Sequence, residues 1–251
     1  AYATGNVNGN YLVGGLVGET STYSTITNAY ADGDVSGGYK VGGLIGESSG
    51  TVTYAYATGD VYASEGAVGG LIGGIMEGSV SKSFAVGNVS TAGNNPVSVS
   101  DGMGGTVTIY PVDAGGFVGT MENGSISESW SSGNIEITKI NGLYGGGFVG
   151  RMQAGSITDS MSHGNITTHG DYVGGFVGEA ISGTISRVFA TGAVTTTGSH
   201  IGGVYGYIHY APSSSMYYNQ DTIGGMVGKN GDGAGPSRPV IGSTRAISGA
   251  I

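Results

Sequence analysis

The chain of 251 residues has no cysteine, only 5 prolines and a single tryptophan. It can have no disulfide framework and no cysteine-ligated metal site, and if exported it must fold without oxidative help. Basic residues are also scarce: 8 Lys and Arg stand against 17 Asp and Glu, giving a net charge of −9. The few cations are scattered, so a nucleic-acid backbone would be repelled rather than held. No apolar run reaches membrane-spanning length, so membrane insertion is not expected, and no signal region is recognisable. The chain opens in mid-repeat at Ala1, which reads as a segment of a longer protein with adjoining domains.

Glycine, in contrast, is abundant, at 54 residues, within a chain that is 38% hydrophobic. That composition can bury a core, and it fits neither collagen nor a disordered chain. The glycines fall in a recurring hexad: VGGLVG (13–18), VGGLIG (41–46 and 68–73), AGGFVG (114–119), GGGFVG (145–150), VGGFVG (173–178), IGGVYG (201–206) and IGGMVG (223–228). Successive hexads lie 28, 27, 46, 31, 28, 28 and 22 residues apart. A fixed period in this range marks a solenoid.

A second element recurs between hexads: GTVTYAYATGDV (50–61), GSVSKSFAVGNV (78–89), GSISESWSSGNI (124–135), GSITDSMSHGNI (155–166) and GTISRVFATGAV (183–194). Apolar residues alternate with small or polar ones over short runs rich in Val, Ile and Thr, and no helical period appears. The expected fold is all-β: a parallel β-helix (β-solenoid), right-handed by the crossover rule, of about eight coils of ~28 residues with three short strands each. The solenoid would span 1–228 and a C-terminal cap or junction 229–251. The paired glycines are expected at a corner where a side chain would strike the neighbouring coil and where positive φ is allowed. Leu16, Leu44, Leu71, Phe117, Phe148 and Phe176 should stack inward beside them. Tyr205, Tyr207, Tyr210, Tyr217 and Tyr218 crowd into an expected irregular covering segment.

Three outer features bear on function. Asn6, Asp34, Asp60, Asn88, Asn134 and Asn165 follow a turn glycine in successive coils and read as a hydrogen-bonding ladder rather than a calcium row. Tyr30, Tyr56, Phe84, Trp130, Met161 and Phe189 form one row, with Asn28, Tyr54, Lys82, Glu128, Asp159 and Arg187 two residues earlier. A bulge between the rows would put the aromatics in a buried or half-buried place; simple alternation would make them a platform for sugar rings or another domain. Finally, 31 residues separate Ser83 from Ala114, and the extra stretch at about 91–113 falls at the same coil position as a smaller expansion at 136–144. Both should leave the rod on one side and touch, with a hairpin of arms at 97–99 and 106–109. Loops carry function more often than scaffold does, so the candidate ligand-binding residues are Asp101, Tyr110 and Tyr144, with Trp130 from the aromatic row.

Signatures of catalysis are missing. His163, Asp159, His169 and Asp171 share a coil, but spacing alone gives no ligand geometry. Glu19, Glu47 and Glu179 follow hexads, where a polysaccharide-cleaving groove would want paired carboxylates and a solvated edge would also place charge. No catalytic residue, metal or cofactor is expected.

The hexads VGGLVG, VGGLIG and VGGFVG, preceded by AYATGDV and ISESWSSGNI, resemble the GLUG repeat over essentially 1–228. The resemblance implies an extracellular repeat module of a secreted or surface-anchored bacterial protein, adhesin-like or the non-catalytic part of an immunoglobulin-A peptidase. The implied function is a stalk or display scaffold, with a glycan or a host or neighbouring-cell surface protein as partner. The alternatives are a carbohydrate-binding module, a polysaccharide-active β-helix enzyme, and a subunit that self-associates end to end into a filament.

Overall fold

The computed structural model describes residues 1–91, 97–100, 106–109, 112–138, 144–210, 213–218 and 227–230. Among these residues there is no helix; parallel strands stack into a β-solenoid of about seven turns. Each turn visits four sheets, numbered here in chain order. One turn runs through Thr51–Ala57 in the first sheet, Val61–Ala63 in the second, Ala67–Gly69 in the third and Ile72–Ile75 in the fourth. Every strand of these four sheets pairs in parallel with its equivalent one turn away, as Val61 does with Val35 and Val89. Because like residues stack on like, a single turn's sequence fixes the chemistry of a whole column.

The expectation of three strands per coil is corrected to four. The hexad is two strands with a corner inside it: Tyr172–Gly174 ends the third sheet, Val177–Ala180 begins the fourth, and Gly175 and Phe176 make the turn between them. Its hydrogen bonding survives the corner, since the amides of Gly147 and Phe148 donate to the carbonyls of Gly174 and Phe176 one turn on, at 3.2 and 2.9 Å.

Space, not φ, makes the corner glycines obligatory. Among the described residues none of them has positive φ, contrary to expectation; the described glycines with positive φ are Gly66 and the four that precede first-sheet strands, Gly78, Gly124, Gly155 and Gly183. A Cβ on Gly115 would overlap the Val118 carbonyl of its own turn, and one on Gly116 would overlap the Gly147 carbonyl of the next. A Cβ on Gly119 would lie 2.6 Å from the Val68 amide of the turn before. Each hexad glycine thus clears a different neighbour, so all three recur.

The same glycines pinch the interior. A Cβ on Gly43 would come 2.8 Å from the Ala57 methyl of the first sheet, and at later turns Ser131 and Ser162 take the alanine's place and donate to the carbonyls of Gly147 and Gly175 at 2.8 and 2.7 Å. Two apolar columns result. One holds Leu44, Leu71, Phe117, Phe148 and Phe176 with the first- and fourth-sheet residues; the other holds the valines and isoleucines of the second and third sheets. The inward Leu/Phe ladder is as expected, with Phe117, Phe148 and Phe176 fully buried and stacked at 4.6 and 4.8 Å. Leu16, in the first turn, is only half-buried.

The tyrosine-rich stretch is regular, not irregular. Tyr205–Ile208 is a fourth-sheet strand with Tyr205 buried in the core, and Ser213–Tyr218 is a first-sheet strand in register with Thr184–Ala190. The fourth sheet runs on to Val227–Asn230, and the rest of the expected cap lies outside the described residues.

Candidate functional site

The first sheet carries one exposed face. Its strands read inward at Val52, Ala55 and Ala57, with Thr53 and Tyr54 both turned out between them. The second outward residue is the bulge: Asn28, Tyr54, Lys82, Glu128, Asp159, Arg187 and Ser215 all have φ between +49° and +54°. Of these residue types only Asn and Asp readily accept that conformation, yet all seven turns adopt it. Buried serines compensate for the disturbed ladder: Ser83, Ser129 and Ser160 donate to carbonyls two residues back at 2.8, 2.7 and 2.7 Å. Their Oγ atoms accept the amides of Ala55, Ser83 and Ser129 from the preceding turn at 3.1, 3.3 and 3.4 Å. The sequence reading missed this serine relay, whose signal is a polar residue at an inward position in three consecutive turns.

Because the bulge precedes the aromatic row, that row keeps the outward side. Tyr2, Tyr30, Tyr56, Phe84 and Trp130 stack on one another at 5.2, 4.9, 4.8 and 4.7 Å with nearly parallel rings, and Phe189 stacks on Tyr217 at 4.7 Å. Apart from the exposed Tyr2 the rings are half-buried, but on the outward side that simple alternation between the two rows gave, and the cover comes from each other and not from the core.

A second outward surface lies where the third and fourth sheets meet. Third-sheet strands open with Tyr39, Asp113, Tyr144, Tyr172 and His200, facing Glu47, Thr120, Arg151, Glu179 and Tyr207 of the fourth. In the first two turns the third-sheet strand has one extra residue, Leu12 or Lys40, at positive φ. Lys40 is thereby laid into the surface, where it is buried and paired with Glu47. Farther along, Arg151 donates to Glu179 at 2.7 Å and lies 5.3 Å over the Tyr144 ring, while His209 contacts the other Glu179 oxygen at 3.2 Å. The carboxylates that follow hexads at Glu47 and Glu179 are therefore held in ion pairs.

Asp113 is the exceptional member. The residue as a whole is half-buried, but its Oδ1 is sealed from solvent without a hydrogen-bond partner. Burial pushes its pKa up to about 8, against the opposing pull of the Arg151 guanidinium. It is thus a neutral carboxylic acid at pH 7. Burial likewise pushes Tyr144 up to about 12.

Of the candidate ligand-binding residues, Trp130 stands on the outer face of the first sheet and Tyr144 opens a third-sheet strand, so they occupy different faces. Asp101 and Tyr110 lie outside the described residues. The two expansions do share a corner: the long one leaves after Thr91, which is in register with Ile137, and returns at Asp113, in register with Tyr144, where the shorter one ends. The expected hairpin is there, with Val97–Ser100 antiparallel to Thr106–Ile109. Their mutual contact falls outside the described residues.

His163 contacts Thr191 at 2.7 Å, His169 contacts Thr197 at 3.1 Å, and Asp159 accepts two bonds from Arg187 at 2.6 Å. Each side chain is tied to the next turn instead of converging with the others, and no group of His, Asp and Glu among the described residues is arranged to hold a metal. The Asx row is the structural ladder expected: Asn6, Asp34, Asp60, Asn88 and Asn134 each accept the backbone amide of their equivalent one turn on, at 2.8 to 3.1 Å.

With the turn as the unit, the comparison with known families is direct. The profile of the GLUG motif matches residues 9–36 and again 169–195. Each match begins just before a third-sheet strand and ends within the second sheet one turn later. The chain thus carries the GLUG motif at two places, which supports a GLUG-repeat family. A GLUG repeat here is one four-sided turn whose glycine hexad is the corner between the third and fourth sheets. No curated protein and no solved structure matches the chain.

Proposed function

We propose that this GLUG-repeat chain is a non-catalytic display module of a secreted or surface-anchored bacterial protein. A stiff rod carries the long expansion outward, and the expansion recognises a glycan or a protein on a host or neighbouring cell. The observation behind this reading is the uninterrupted register beneath the expansion: Ala67 pairs with Asp113, Ile72 with Val118, Ser79 with Ser125 and Val89 with Ile135. An insertion that the scaffold does not need, next to a second one at the same corner, fits a binding face better than a structural one. Pairing of Glu47 with Lys40 and of Glu179 with Arg151 supports the non-catalytic half of the reading, since neither carboxylate is free to act as a nucleophile or base.

The test is binding of the chain to an array of glycans and extracellular-matrix proteins, beside a variant in which residues 94–110 are replaced by a short Gly-Ser turn. The expected result is a specific partner lost in the variant while its melting temperature is unchanged. Failure to find any partner that the original chain binds and the shortened variant does not would refute recognition by the expansion.

A further inference from the structure

The outer face of the first sheet has a feature that display alone does not require. Its row of eight stacked positions is aromatic at Tyr2, Tyr30, Tyr56, Phe84, Trp130, Phe189 and Tyr217, and is interrupted once, by Met161. Beside that interruption the surface opens into a concavity of about 440 Å³ lined by Asp159, Ser160, Met161, Arg187, Phe189, Ser215 and Tyr217. Its two walls are the bulge row and the aromatic row over three successive turns, so it is a short channel along the rod axis. Its volume falls within the range of ligand sites.

We propose that this channel binds a linear, uncharged glycan lying along the rod, with the concavity at Met161 as its main subsite. Charge argues for a neutral ligand. Arg187 is held by both oxygens of Asp159, and Lys82 donates to the Tyr54 hydroxyl at 3.3 Å beside Glu128, so the bulge row has no free excess of either sign. The chain's net charge of −9 also disfavours polyanions. Shape argues for a linear one, since the rows are straight and repeat at 4.7 to 5.2 Å. The wall chemistry suits sugar: aromatic edges and a methionine thioether offer apolar contact to pyranose C–H faces, while a planar guanidinium–carboxylate pair, Ser215 and Tyr217 offer bonds to ring hydroxyls. The site is separate from the expansion and does not depend on its role.

The chain reports on this site directly, because Trp130, its only tryptophan, pairs with Met161 one turn away. The probes are cellohexaose, xylohexaose and mannohexaose, with oligogalacturonate as the charged control. Titration by calorimetry and by Trp130 emission is expected to show at least one neutral hexasaccharide binding and the anionic oligomer failing to bind. Arg187→Ala, at a side chain 58% exposed, is expected to weaken binding about tenfold. Met161→Phe, which continues the aromatic row and fills the concavity, is expected to abolish binding without lowering the melting temperature. The chain shortened at 94–110 is expected to bind these sugars like the original. Absence of binding by all three neutral probes would overturn the proposal, as would equal binding of the anionic one. Affinities of both point variants within about twofold of the original would also overturn it.

Discussion

Two corners of the same turn behave in opposite ways. At the corner between the third and fourth sheets, Gly115, Gly116 and Gly119 each lack room for one methyl group. Between the second and third sheets, the chain leaves after Thr91 and returns at Val112 with the register on both sides undisturbed. The first corner is closed on every side by backbone: its own turn, the next and the previous one. At the second, the second-sheet strands Val61–Ala63 and Val89–Thr91 end with side chains that alternate in and out, and the extra chain leaves after Thr91 without breaking the stacking on either side. Regularity is thus enforced at one corner, and variation is admitted at the other.

Substitutions should sharpen that contrast. The largest effect is expected from Gly116→Ala, whose methyl would overlap the Gly147 carbonyl; backbone cannot yield as a side chain can, and a loss of about 3 kcal/mol or more should appear as a markedly lower melting temperature. Phe148→Ala, in the middle of the stacked inner column, should cost a comparable ~3 kcal/mol by chemical denaturation, because Phe117 and Phe176 hold the cavity open on both sides.

Asp113→Asn should act in the other direction and depend on pH. The folded state holds this carboxyl protonated up to about pH 8, whereas the unfolded chain releases the proton near an ordinary value of about 4. Between these values the unfolded state binds fewer protons, so the aspartate's contribution to stability declines as pH rises. The asparagine variant should equal the original near pH 3.5 and exceed it by ~1–2 kcal/mol at pH 7, an amount reduced for the partial exposure of the residue. Urea titrations at the two pH values would check this. Smaller still, Asn134→Ala removes the acceptor for the Asn165 amide at an exposed turn and should cost about 1 kcal/mol.

Much of the solenoid is legible in the sequence, because a period near 28 residues puts like upon like. The inward Leu and Phe column and the Asx ladder follow from reading one turn and stacking it. The fourth strand was hidden because VGGFVG is apolar throughout, and nothing in its pattern marks where one sheet stops and the next begins. The choice between the two positions open to the aromatic row was also hidden. It depends on a left-handed residue in every first-sheet strand, and Tyr54, Lys82, Glu128 and Arg187 give no hint of that conformation. The raised pKa of Asp113 was out of reach for a third reason: it comes from burial, opposed by Arg151 and reinforced by Glu179, and only the stacking of later turns creates that surrounding. Trp130 and Tyr144 were picked out by type and position, yet their separation on two faces follows from the four-sided turn.

The most direct test of the two-corner account compares thermal unfolding of Gly116→Ala with that of the chain shortened at 94–110. One change adds a methyl and the other removes most of the expansion, within a single turn. The account predicts a melting temperature lowered by about 10 °C in the first and essentially unchanged in the second. A stable alanine variant, or a shortened chain that melts early, would contradict it.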